Sequence, residues 1–324
     1  MNEVILSTRD LTKHYRLGGG MFGATPRVVR AVDGVTLDIH ERETFALVGE
    51  SGCGKTTLGR VMLRLQEPTS GSILYREQDL TELGEKAMRG LRNKLQIVFQ
   101  DPYASLNPRM RVEEILAEPL RTHGYGSSQA IRARCAELLD MVGLRRQYLR
   151  NYPHQFSGGQ RQRIGIARAL ANKPDFVVCD ESVSALDVSI QAQVLNLLSD
   201  LQEELKLTYF FITHDLSVVR QFAHRIGVMF LGRLVEVGRT EEMFERPLHP
   251  YTMFLISAVP RADPRQRGRE RPILKGDIPS PMNLPTGCRF HTRCPFAQDI
   301  CKAQEPQPRE IDGRTVSCHF PFVS

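Results

Sequence analysis

No stretch of this 324-residue sequence approaches the roughly 18 consecutive apolar residues of a membrane span. Its best apolar runs, Tyr209–Thr213 and Ile226–Leu231, are strand-sized. The opening Met1–Asp10 carries an early acid and no long apolar segment, so no secretory leader is expected. Internal repeats and coiled-coil heptads are also missing, which removes solenoid and rod-like architectures. These absences predict a chain that stays in the cytoplasm. If it works at a membrane, it does so by docking on other subunits.

What is present is the balance of a globular protein, 41% apolar and 25% charged. The length suits one core domain with appendages. The net charge of +6 fits nucleic acid, anionic lipid or a phosphorylated ligand, and fits a solvated surface as well. Charge alone therefore does not decide function. Seven cysteines are an odd number; Cys53, Cys135 and Cys179 are scattered and read as packing residues. The other four crowd the C-terminus.

Short apolar and alternating runs, Val28–Val32 and then Val35, Leu37 and Ile39, predict strands. Asp33-Gly34 between them is a hairpin turn signal. Thr44–Val48 reads as a buried strand, Lys55–Leu65 as a helix, and Ser72–Tyr75 and Gln96–Phe99 as further strands. Helical spacing of Ile131, Cys135, Leu138, Leu139 and Val142 marks a helical block over about 111–149. Strand and helix then alternate: Phe176–Cys179, Ile190–Leu205, Tyr209–Thr213, Leu216–Phe222, and a strand pair over Gly227–Leu231 and Leu234–Val237. Such alternation predicts an α/β fold with a largely parallel sheet, into which the helical block is inserted. Arg261–Arg271, rich in Arg, Pro and Gly, reads as a linker.

Gly49-Glu50-Ser51-Gly52-Cys53-Gly54-Lys55-Thr56 fits G-x-x-x-x-G-K-[ST] without a mismatch, between a strand and a helix. Glycines let successive N–H groups curl around phosphate oxygens, and the helix N-terminus adds its positive end. Lys55 would neutralise the β- and γ-phosphates, and Thr56 would hold Mg²⁺, with Thr57 following on the helix. The motif specifies a nucleoside triphosphate and not what its energy drives. Phe176–Cys179 leads into Asp180-Glu181, a buried strand ending in two carboxylates. With that strand beside the phosphate-loop strand, Asp180 would hold Mg²⁺ and Glu181 would polarise the attacking water.

Phe156-Ser157-Gly158-Gly159-Gln160 resembles the signature of ABC transporter ATPases, usually Leu-Ser-Gly-Gly-Gln, with Phe156 in first place. On that resemblance Gln100 corresponds to the glutamine of the Q-loop and a third Mg²⁺ contact, and Ser184-Ala185-Leu186-Asp187 to the D-loop. His214 corresponds to the switch histidine and Tyr15 to the aromatic that stacks on adenine. Catalytic roles would then fall to Glu181, His214, Lys55 and Gln100. The run Gln100–Arg109 and the segment His249-Pro250-Tyr251-Thr252 are similar to the ATPases of dipeptide and oligopeptide importers, and within them to the F subunits of dipeptide permeases. One departure is Ser182, where that family commonly has proline, which leaves the turn after Glu181 freer.

The resemblance implies a P-loop NTPase core with an antiparallel β subdomain and an inserted α-helical subdomain over about 103–165. Residues 1–246 would form the nucleotide-binding domain and 247–324 a Cys-rich C-terminal extension. Cys288, Cys294, Cys301 and Cys318, spaced C-x5-C-x6-C-x16-C, could hold a [4Fe–4S] cluster, or zinc with His291 and His319 as further ligands, or stay free thiols. The likeness to importers that carry iron–sulfur on this tail favours the cluster. It also implies ATP hydrolysis that drives peptide import at the cytoplasmic face of the bacterial inner membrane. The expected partners are a paralogous D-type ATPase whose signature completes each ATP site, two membrane permeases and an external peptide-binding protein. Import of nickel chelates, glutathione or microcins by the same cassette, or DNA maintenance, stand as alternatives.

Overall fold

The computed structural model describes residues 3–18, 27–101, 103–184, 186–259, 276–277 and 279–323. The expected linker and Ala185 of the expected D-loop lie outside them. The chain gathers into two compact units. The first takes the start as far as Ile5, Ile39–Thr44 and Tyr75–Ile212; the second takes Leu6–Asp38, Phe45–Leu74 and Thr213 onward.

The second unit opens with β1 (Val4–Leu17) and β2 (Arg27–His40). In β2, Val35, Leu37 and Ile39 are buried while Thr36 is exposed, the period-two pattern of a strand with one face inward. Asp33-Gly34 does not form the expected hairpin turn; β2 runs straight through it. Gly34 absorbs a positive φ of 74° as a kink. The amide of Asp33 donates to the carbonyl of Gly232 at 2.9 Å, so the chain is held in place and does not reverse. β3 (Thr44–Val48), buried at every position, leads through a loop into α1 (Lys55–Met62), and β4 (Ser70–Tyr75) then pairs with β1.

The first unit holds β5 (Gln78–Asp79), α2 (Glu85–Leu91), β6 (Leu95–Val98), α3 (Val112–Thr122), α4 (Ser128–Met141), α5 (Gly158–Ala169), β7 (Phe176–Asp180), α6 (Val188–Leu205) and β8 (Thr208–Ile212). β6, β7 and β8 are parallel, registered as Val98 with Cys179 and Asp180 with Ile212. Every residue of β7 and β8 is buried, the continuous apolar run of strands covered on both faces. Both edges of β7 are taken by β6 and β8, so it is not a direct neighbour of the phosphate-loop strand; that expectation is corrected. In the helical block, Ile115, Leu116 and Leu120 of α3 and Ile131, Cys135, Leu138 and Leu139 of α4 are buried at three- and four-residue spacings.

The second unit resumes with α7 (Leu216–Phe222), β9 (Arg225–Phe230), β10 (Arg233–Arg239), α8 (Thr240–Glu245), α9 (Pro250–Ser257), α10 (Asp299–Ala303), β11 (Arg309–Ile311) and β12 (Arg314–Val316). β3 runs parallel to β9, and β10 turns back antiparallel as the strand pair expected from sequence. β12 then pairs with β10 and β11 with β12, two short strands that the sequence pattern did not announce. Val48, Phe230, Tyr251, Phe254 and Phe290 share one core, with Cys288 and Cys294 packed against it. Among the described residues no helix is long and apolar enough to cross a membrane.

Candidate functional site

The buried strand β3 ends at Val48, and the loop from Gly49 to Gly54 has room only for glycine at both ends. A Cβ on Gly49 would lie 2.2 Å from the Met229 carbonyl oxygen, and one on Gly54, at φ 110°, would lie 1.9 Å from that of Ala31. Lys55, 5% exposed, donates from Nζ to the carbonyls of Gly49 at 2.8 Å and Glu50 at 3.1 Å, closing the loop. The amide of Gly232 donates to the Cys53 carbonyl at 2.9 Å and ties the loop to the β9–β10 turn. Thr56 and Thr57 follow on the first turn of α1. Burial pushes the Cys53 thiol above its usual range, in keeping with a packing residue; Cys135 and Cys179 are likewise fully buried.

The same unit contains Tyr15 and His214. The Tyr15 hydroxyl donates to Gln66 Oε1, and Lys13 Nζ stands 5.2 Å from the ring centre. His214 sits between anchored neighbours: Asp215 donates from its amide to Thr213 Oγ1 at 3.1 Å and caps α7 by accepting from the Ser217 amide at 2.9 Å.

The first unit contains Gln100, Asp180, Glu181, residues 156–160 and, of residues 184–187, the described Ser184, Leu186 and Asp187. Asp180, 1% exposed, ends β7. Glu181 adopts a left-handed φ of 46°, donates its amide to the Ile212 carbonyl at 3.0 Å, and accepts from Gln100 Nε2 at 2.9 Å. The turn beyond it, at Ser182, is fastened by Ser184, whose amide and hydroxyl both donate to the Glu181 carbonyl, at 3.1 and 2.9 Å. Phe156 is buried. Ser157 is the N-cap of α5: its hydroxyl accepts from the Gln160 amide at 3.3 Å, and Gln160 Oε1 accepts from the Ser157 amide at 3.1 Å. A Cβ on Gly158 would lie 3.6 Å from Cδ2 of Leu186, which precedes Asp187, and one on Gly159 would lie 2.4 Å from Cγ2 of Ile190 on α6.

Cys288, Cys294, Cys301 and Cys318 line one small cavity with His249, His291, His319, Phe290 and Phe296. Burial pushes the thiols of Cys288 and Cys318 up, to about 11 and about 12. Among the described residues no group of three or more His, Cys, Asp or Glu side chains is arranged to hold a metal ion. Two further contacts escaped the sequence reading. Arg293 and Tyr251, 243 and 201 positions from Glu50, both touch it. No motif carries a signal for pairs so far apart.

A strand ending in a glycine-bounded lysine loop, together with a strand ending in paired carboxylates, defines a P-loop nucleotide-hydrolase class. The ABC transporter family profile matches residues 32–184, and that of the oligopeptide/dipeptide transporter C-terminal region matches residues 235–301. The chain is 51% identical to the oligopeptide transport ATP-binding protein AppF of Bacillus subtilis, over 98% of each chain. It is 49% identical to the dipeptide transport ATP-binding protein DppF of Escherichia coli, over 98% of this chain and 95% of that one. Among solved structures, the ATP-binding cassette MJ0796, in a dimeric post-hydrolysis state bound to ADP and Pi, superposes with a TM-score of 0.65 at 31% identity, covering 72% of this chain and 98% of that one. The cassette cbiO1 of Clostridium perfringens gives 0.64 at 27% identity, covering 75% and 92%. The chain belongs to the ABC transporter family, whose ATP-binding proteins are ATPases coupled to transport.

Proposed function

We propose that this chain binds and hydrolyses ATP to power import of dipeptides or oligopeptides across a bacterial inner membrane, working from its cytoplasmic face. The observation that carries the reading is the meeting of Gln100 and Glu181 at the end of a buried strand, where a carboxylate is held in one direction by an amide. The relatives named for oligopeptide and dipeptide transport favour peptides over nickel chelates, glutathione or microcins, and favour transport over DNA maintenance.

In this reading residues 1–246 form the nucleotide-binding domain, with the helical subdomain at about 103–165, and 247–324 the extension. The loop from Gly49 to Thr57 wraps the triphosphate, Lys55 neutralises it and Tyr15 stacks on the adenine. Thr56, Gln100 and Asp180 offer the hard oxygens that Mg²⁺ takes, and the ion would offset phosphate charge. Glu181 accepts a proton from the attacking water, and His214 donates to the γ-phosphate. Phe156–Gln160 and the D-loop serve the ATP of a second, paralogous D-type cassette: Ser157 and the glycine amides at the start of α5 receive its γ-phosphate. Loss of that phosphate removes the charge that holds the pair closed, and the pair reopens. Two permeases and an external peptide-binding protein complete the transporter and select the peptide.

The four C-terminal cysteines are read as holders of a [4Fe–4S] cluster, with zinc as the alternative. Support comes from their shared cavity and a liner set of soft sulfur donors without a carboxylate. The test of the function is Glu181→Gln: MgATP binding is kept and turnover falls by about a hundredfold or more. Full turnover in the variant would remove Glu181 as the base.

A further inference from the structure

Glu50 is an awkward residue for its place. It is the second position of the loop proposed to receive a polyphosphate, and a free carboxylate there would repel that anion. The structure surrounds it. Arg293 Nη1 and Nη2 donate to its two carboxylate oxygens at 2.7 and 3.1 Å, the two-pronged geometry in which a guanidinium holds a carboxylate most firmly. The Arg293 side chain is 7% exposed and that of Glu50 22%, so solvent screens the pair only in part. The backbone of Glu50 is fixed as well. Its amide donates to the Tyr251 hydroxyl at 3.0 Å, and its carbonyl accepts from Lys55. Tyr251 is fully buried, and its ring packs against Phe230 and Phe290 at 4.8 and 5.3 Å between centres. Burial also holds its hydroxyl in the neutral form.

Both partners come from the C-terminal part of the chain. Tyr251 stands on α9, while Arg293 and Phe290 lie between Cys288 and Cys294. We propose that Arg293 and Tyr251 are positioning residues of the phosphate loop: Arg293 cancels the Glu50 charge inside the loop, and Tyr251 fixes the loop backbone at that residue. The C-terminal segment is thereby a working part of the nucleotide site, and a change in the cysteine segment reaches the loop through Arg293. This inference rests on reading residues 49–56 as the triphosphate cradle.

The experiment titrates the full-length chain with a fluorescent N-methylanthraniloyl nucleotide in Mg²⁺, competed by ATP, ADP and AMP. Arg293→Met weakens ATP binding about tenfold, with a smaller loss for ADP and the least for AMP, because the unmasked carboxylate repels in proportion to phosphate charge. Arg293→Lys, which keeps the charge but loses the fork, weakens ATP by about threefold and serves if the methionine variant does not fold. Glu50→Gln moves the other way and tightens ATP binding. A merely structural ion pair gives a different pattern: Glu50→Gln and Arg293→Met then weaken binding alike, and equally for all three nucleotides. That pattern, or parental ATP affinity in Arg293→Met, overturns the proposal. Lys55→Ala separates the two readings. If Lys55→Ala loses ATP while Arg293→Met does not, only this inference falls. If Lys55→Ala binds like the parent, the cradle reading falls and takes the inference with it.

Discussion

The side-chain amide of Gln100 donates to Glu181 Oε2 at 2.9 Å. The parallel register explains the meeting. Val98 of β6 stands opposite Cys179 of β7, and each functional residue lies two positions further along its own chain. Removing the amide takes away a hydrogen bond that holds the carboxylate in the direction in which it would take a proton. Gln100→Ala is therefore expected to lower kcat for ATP hydrolysis about tenfold, the worth of one hydrogen bond to a charged group. Steady-state hydrolysis at saturating ATP measures it, and an unchanged kcat would deny Gln100 its role.

A second prediction concerns how α5 meets α6. A Cβ on Gly159 would stand 2.4 Å from Cγ2 of Ile190, a separation that no packing tolerates. Gly159→Ala should cost about 1–3 kcal/mol in denaturant unfolding and lower ATPase activity, because α5 has to shift and carries Ser157 with it. Adding Ile190→Ala should recover most of both losses. If the double variant is no better than Gly159→Ala alone, contact with Ile190 is not what requires the glycine.

Much of this site was legible because its motifs are local. Eight consecutive residues, Gly49–Thr56, encode a loop whose conformation depends on its own glycines, and the apolar run Phe176–Cys179 announces its own burial. Asp33-Gly34 was misread for the opposite reason. Its composition is that of a tight turn, but its carboxylate is claimed by Arg289, 256 positions away, and its amide by Gly232. Tertiary partners outweighed local preference. The contacts of Arg293 and Tyr251 with Glu50 were invisible for the same reason, since sequence spacing carries no information on a pair that only the packed core around Phe230 and Phe290 brings together.

Asp33 also gives a pH dependence. Burial alone would raise its carboxyl. Hydrogen bonds from Arg289 and His14, with the charges of Arg289 and Arg233 nearby, outweigh burial and hold it below 3.8. The unfolded chain then binds the proton first as pH falls, so the stabilisation is complete above about 4 and is lost as pH drops through the lower folded value. Asp33→Asn should lower stability at neutral pH by about 2 kcal/mol, because the buried Arg289 guanidinium loses its nearest carboxylate while keeping the Leu231 carbonyl and Glu305. It should also flatten the dependence of stability on pH below about 4. Urea titrations from pH 3 to 7 check both; a variant that keeps the parental slope below pH 4 would assign the acid sensitivity elsewhere.

The last prediction tests the metal reading of the cysteine segment. Cys288 and Cys318 have thiols pushed up to about 11 and about 12, so at neutral pH they stay protonated unless a cation takes the proton's place. Three phenylalanines line the cavity that the four cysteines share. Such a lining offers a hard ion such as Mg²⁺ little, and suits a soft centre that bonds to sulfur. Protein purified without oxygen should therefore be brown, absorb near ~400 nm and carry about four iron atoms per chain. Cys294→Ser should lose colour and iron together while the chain remains folded by circular dichroism, because Cys294 is only partly buried where it packs against the core around Phe230 and Tyr251, and serine nearly keeps its size. Zinc without iron would instead select the alternative, with His291 or His319 able to serve beside the thiolates. A colourless chain free of both metals would make the four cysteines packing residues like Cys135 and Cys179.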